Sequence, residues 1–119
     1  MVSLNGYPLI LGEGGIRVSE EVKEITPEEL EEHVGKDTYT IIDVRENEEV
    51  EQGMIEGAKH IPLQQIPESL DQLDKEKEYV MVCRSGRRSY NASLYLQEHG
   101  YKVRNMVGGM LNWSGEVVF

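Results

Sequence analysis

Tyr79-Val80-Met81-Val82-Cys83-Arg84-Ser85-Gly86-Arg87-Arg88-Ser89 is the stretch on which the fold turns. Its first four residues form an unbroken apolar run with β-favouring side chains, as in a strand covered on both faces. Its second half is polar and carries one glycine. A helical pattern follows, with Ala92, Tyr95, Leu96 and His99 at i, i+3, i+4 and i+7, and Gly100 closes it. Strand, short loop and helix in direct succession predict a parallel sheet with helices on its faces.

The flanks repeat the alternation. Downstream, Lys102 to Val107 reads as a strand, Gly108-Gly109 as a sharp turn and Met110 to Trp113 as a turn of helix. Upstream, Tyr39-Thr40-Ile41-Ile42-Asp43-Val44 reads as a buried strand ending in charge. The acidic residues 46–52 read as one helical turn. Gly53, Gly57 and Pro62 mark a loop anchored by Ile55, Ala58 and Ile61, and a short helix is expected over Gln64 to Leu73, with Pro67 limiting its start. Further upstream, Thr26-Pro27-Glu28-Glu29 is a capping box with proline at the first helical position. Leu30 and Val34 supply that helix's apolar stripe and Gly35 its stop. Residues 1–23, with four glycines between short apolar pieces, read as an N-terminal extension with β-like character; the domain proper is expected over 24–119.

Bulk properties narrow the function. A chain of 119 residues with 39% hydrophobic and 29% charged residues suits one globular core. The net charge of −10 and pI of about 4.7 argue against nucleic acid or an anionic membrane as partner. One cysteine allows no internal disulfide and favours a reducing compartment. The apolar run Pro8 to Leu11 is too short for a signal-peptide core, so cytoplasm is the expected location. His33, His60 and His99 lack metal-ligand spacing, and no glycine-rich phosphate loop is present; neither metal nor cofactor is expected.

The chemistry points to Cys83. In an open parallel sheet, ligands collect beyond the C-terminal strand ends. A loop entering a helix there aims backbone N–H groups at one point, and the helix dipole adds positive potential. Curled around a cysteine sulfur, such a nest favours the thiolate and is expected to lower its pKa. Arg84, Arg87 and Arg88 make a positive pocket on an acidic protein, suited to a small anion. A lone cysteine at a strand end is ordinarily a small buried hydrophobe, but a following loop with no apolar member is a poor choice for core packing.

These features resemble the rhodanese family over about residues 24–115. The resemblance rests on Ile42-Asp43-Val44-Arg45, on Glu49 through Pro62, on Cys83 through Ser89, and on Gly108-Gly109 before Trp113. Two positions depart from the family pattern, Met54 where histidine is frequent and Val50 where an aromatic is frequent. The resemblance implies an α/β fold with a central, mostly parallel sheet flanked by helices. It implies a sulfurtransferase in which the Cys83 thiolate takes the outer sulfur of thiosulfate, sulfite leaves, and a thiol or cyanide removes the sulfur from a Cys83 persulfide. The N–H groups of residues 84–88, Ser85 and Gly86 included, are then expected to surround the sulfur. Arg84 and Arg87 are expected to bind the donor, and Arg88 to hold the loop by pairing with a carboxylate such as Glu49. Asp43 and Arg45 are expected to be structural support. The family's phosphatases place arginine six positions after the cysteine; here Arg88 stands at five and Ser89 at six, which favours sulfur over phosphate. A cysteine-based phosphatase, an arsenate reductase, a partner-binding module and a relay passing sulfur between proteins are the alternatives.

Overall fold

The computed structural model describes residues 21–119; of the β-like extension expected over residues 1–23, residues 1–20 lie outside the described residues. Five strands form one sheet: β1 (Lys23–Ile25), β2 (Thr40–Asp43), β3 (Lys59–His60), β4 (Glu78–Val82) and β5 (Lys102–Met106). Their order is β1-β5-β4-β2-β3, and every pairing is parallel. β4 lies between β2 and β5, with Ile41 opposite Val80 and Met81 opposite Asn105.

Parallel pairing needs helical crossovers that cover both faces, and β4 is accordingly buried from Tyr79 to Val82 without polar alternation. The pleat still sorts its side chains. Val80 and Val82 join Ile25, Leu30, Ile41, Ile55 and Met106 on one face. Tyr79, Met81 and Cys83 join Ile42, Val44, Ala92 and Leu96 on the other. The nucleophile candidate therefore points to the face covered by α3 (Arg87–Glu98).

The capping box at Thr26 forms as the sequence predicts. Thr26 Oγ1 accepts from Glu29 N–H at 3.1 Å and Glu29 Oε1 accepts from Thr26 N–H at 3.0 Å. Helix α1 (Pro27–Glu31) ends before Gly35, because tighter turns from Leu30 and Glu31 replace α-helical bonding. The acidic stretch gives one turn, α2 (Asn47–Val50). The helix expected over Gln64 to Leu73 is instead two 3-10 pieces, Leu63–Gln65 and Pro67–Gln72, since Pro67 has no N–H to continue the first. In α3 the buried face runs through Ser89, Ala92, Ser93 and Leu96, and His99 is exposed. Of the expected apolar series, Ala92 and Leu96 are buried and Tyr95 packs against the same cluster; His99 falls outside it, and Ser89 and Ser93 share the buried face. A final 3-10 helix, Gly109–Asn112, follows the glycine pair.

The topology places a crevice. Chain order leads from β2 outward to β3 on one side and from β4 outward to β5 on the other. The C-terminal ends of β2 and β4 therefore flank a switch point, where such sheets bind ligands. Asp43 ends β2 and Cys83 follows β4.

Candidate active site

Cys83 is wholly covered, with 0% of its surface exposed. It sits at the margin of the core cluster, yet polar hydrogens reach its sulfur. Gly86 N–H donates to Sγ at 3.1 Å and Ser89 N–H at 3.3 Å. Ser89 Oγ lies 3.3 Å from Sγ as well. The sequence reading assigned the donated N–H groups to residues 84–88. Of those, the Gly86 amide alone bonds the sulfur atom, and Ser89, one position beyond, adds its amide, while its hydroxyl proton goes to Asn105. The N–H groups of Arg84, Ser85, Arg87 and Arg88 have no acceptor among the described residues, the ordinary condition at the start of a helix.

Gly86 makes this curl possible. Its φ of 98° lies in the left-handed region, and a Cβ there would meet Gly108 N at 3.1 Å. Gly109 backs the loop from behind: a side chain at that position would collide with the Arg84 carbonyl. The close approach lets Met110 N–H donate to Cys83 O at 2.8 Å and Leu111 N–H donate to Arg84 O at 3.0 Å. The glycine pair thus anchors both carbonyls at the start of the loop.

Asn105, from the middle strand pair, is the residue that sequence reasoning missed. Its Nδ2 donates to Gly86 O at 3.1 Å, and its Oδ1 accepts from Ser89 Oγ. It is buried, at 4% exposure, between the apolar Val103 and Met106 of the same strand. A polar side chain in the centre of β5 was the only available signal, since its partners come from α3 and the loop. Ser93 Oγ donates to Ser89 O at 2.8 Å and fixes the first turn of α3.

The support residues form a second layer. Arg45 donates to Asp43 from Nε and Nη2 at 2.9–3.1 Å, and to Gly53 O at 2.8 Å and Glu49 O at 3.2 Å. Both charges are buried and fully paired, the condition under which such a pair is tolerated. His60 bonds Arg45 O through Nε2 at 2.7 Å. Arg88 makes a two-pronged pair with Glu49, Nη1 to Oε1 and Nη2 to Oε2, each 2.8 Å. Glu49 Oε1 also accepts from Glu46 N–H at 2.9 Å, so one carboxylate joins the start of α2 to the loop. The Arg88 hydrogen bonds hold the Glu49 carboxyl down from 4.5 to about 2, against the opposing effect of burial. The same contact raises Arg88. Arg84, Ser85 and Arg87 are exposed at the loop's mouth.

Residues 26–116 match the family model for the rhodanese-like domain. The chain belongs to the rhodanese-like domain family. It is 52% identical over 97 residues to the Bacillus subtilis protein named "Putative sulfurtransferase YtwF", covering 81% of this chain and 94% of that one. It is 37% identical to a sulfurtransferase of Allochromatium vinosum, covering 78% and 89%. The crystal structure of a rhodanese-like domain protein from Staphylococcus aureus superposes with a TM-score of 0.77 at 36% identity, covering 82% of this chain and 98% of that chain. The rhodanese-like fold and the sulfurtransferase relatives agree with the family resemblance of the four sequence blocks. The sheet is parallel throughout rather than mostly so. No helix among the described residues is long and apolar enough to cross a membrane.

Proposed function

We propose that this protein moves a single sulfur atom through a persulfide on Cys83, with thiosulfate as a competent donor. The observation that carries the reading is the pair of backbone hydrogens converging on Sγ, from the Gly86 and Ser89 amides, with the Ser89 hydroxyl oxygen held beside it. Hydrogen bonds donated to sulfur stabilise its anion, the nucleophilic form. The thiolate attacks the outer sulfur of thiosulfate. A Cys83–sulfur bond forms, the sulfur–sulfur bond of thiosulfate breaks, and sulfite leaves with the electron pair. Charge balances, because one thiolate and one dianion become one persulfide anion and one dianion.

The unbonded N–H groups of Arg84, Ser85, Arg87 and Arg88 supply donors for the outer, anionic sulfur, preorganised by the loop. Arg84 and Arg87 attract the donor anion to an otherwise acidic surface. Arg88 acts through its pairing with Glu49, holding the loop, while Asp43 and Arg45 brace the strand end beside it. A nucleophile so fully enclosed suits transfer of one small atom. A thiol or cyanide then accepts that atom, and Cys83 returns to the thiolate.

Intact-mass spectrometry tests the reading. Thiosulfate should add one sulfur, about 32 Da, to the wild-type chain and nothing to Cys83→Ser. Absence of the adduct from the wild type, or its persistence in Cys83→Ser, refutes the proposal.

A further inference from the structure

Donor chemistry leaves one feature of the site unused. A cleft of about 410 Å³ runs beside the loop, between Glu48, Glu49 and Gln52 on one wall and Met110 and Leu111 on the other, with Arg84 at its head. Its size is within the range of small-molecule sites, about 300–1,000 Å³. It meets the loop twice. Arg84 is bonded directly to the nucleophile's backbone, and Glu49 is clamped to Arg88.

The charges in the cleft divide into engaged and free. Glu49 is held by Arg88, and Arg45, at the floor, is held by Asp43 and two carbonyls. Glu48, Gln52 and Arg84 are exposed and have no side-chain partner among the described residues. Between them lies an apolar strip, and Leu111 keeps 60% of its surface exposed. A free cation and a free carboxylate beside an apolar strip are the complement of a small molecule with both charges and a short carbon chain.

We propose that this cleft is the acceptor subsite and that it takes a small thiol bearing both a carboxylate and an ammonium group, the amino-acid or short-peptide thiol class. The inference rests on the persulfide reading above. Arg84 receives the carboxylate, Glu48 the ammonium and Gln52 an amide or a second polar group, while Met110 and Leu111 contact the carbon chain. The acceptor's thiol enters as thiolate, its proton having gone to solvent. It attacks the outer sulfur of the Cys83 persulfide. A sulfur–sulfur bond forms on the acceptor and the one on Cys83 breaks, its electron pair staying on Cys83. The acceptor departs as a persulfide, and no external oxidant or reductant is consumed.

Loading the full chain with inorganic polysulfide separates this inference from the donor assignment, because it installs the persulfide without thiosulfate. Discharge is then followed by intact mass with cysteine, cysteamine, 3-mercaptopropionate and cyanide, the thiols compared at equal thiolate concentration. Cysteine should discharge the protein about tenfold faster than either single-charge thiol, one charge-assisted contact being lost in each. In Glu48→Gln the preference for cysteine over 3-mercaptopropionate should collapse while that over cysteamine persists. Leu111→Ser should lower the ratio of cysteine to cyanide discharge. Three thiols that discharge at rates set by their nucleophilicity alone, or a Glu48→Gln protein with unchanged preferences, overturn the acceptor subsite and leave the persulfide reading standing. Failure of polysulfide to load Cys83 overturns both.

Discussion

Replacing Glu49 by glutamine isolates the pair that joins α2 to the active loop. Glutamine keeps one oxygen for Glu46 N–H or Arg88 but loses the charge and the second prong. At about 1.4 kcal/mol per pKa unit, the fall from 4.5 to about 2 sets a ceiling of roughly 3 kcal/mol on the carboxylate's contribution. The two side chains are 32% and 27% exposed, and water screening brings the expected loss to about 1–2 kcal/mol. The pH dependence has a definite sign. Glu49 titrates lower in the folded chain than in the unfolded one, so its contribution is complete above 4.5 and disappears as pH falls toward about 2. Urea unfolding of wild type and Glu49→Gln across that interval should show a gap of about 1–2 kcal/mol near neutrality that closes on acidification. The reasoning is refuted by an absent gap near neutrality, or by one that stays constant down to the acid limit.

Two other substitutions probe the layers around the sulfur. Asn105→Ala strips the Gly86 carbonyl and the Ser89 hydroxyl of a buried partner; it should cost about 1–3 kcal/mol in urea unfolding and slow persulfide formation measured by mass. Wild-type stability and loading in that variant would remove Asn105 from the site's architecture. Leu96→Ala empties a fully buried position beneath the α3 face and should lower stability by about 2–5 kcal/mol, with loading retained at temperatures where the variant is folded. A loss below about 1 kcal/mol would contradict the packing described for that face.

What the sequence made legible was local. The capping box at Thr26, the buried runs of β2 and β4 and the loop after Cys83 each carry their information within a few neighbouring residues. The Arg88 contact with Glu49, which spans 39 positions, was legible through the family resemblance instead. The missed features depend on register between distant segments. β3 has two residues, Lys59 and His60, neither apolar, and it is a strand only because β2 lies alongside. Lys23 and Glu24 likewise become β1 by pairing with Arg104 and Asn105. Ser89 and Asn105 are unremarkable polar residues until α3 is laid across β5. The spacing of His99 fits the apolar line of α3, yet its side chain is exposed. The helix instead turns Ser89 and Ser93 inward, where hydrogen bonds rather than hydrophobicity reward burial.

The amides of Met110 and Leu111 tether the carbonyls of Cys83 and Arg84. The loop is therefore synthesised before the segment that holds its shape. During synthesis the cysteine precedes by about 25 residues the glycine pair that sets its posture, and its loop lacks that anchor until the later segment docks. Formation of the cradle around Cys83 is in this way tied to the docking of a segment that lies about 25 residues further along the chain.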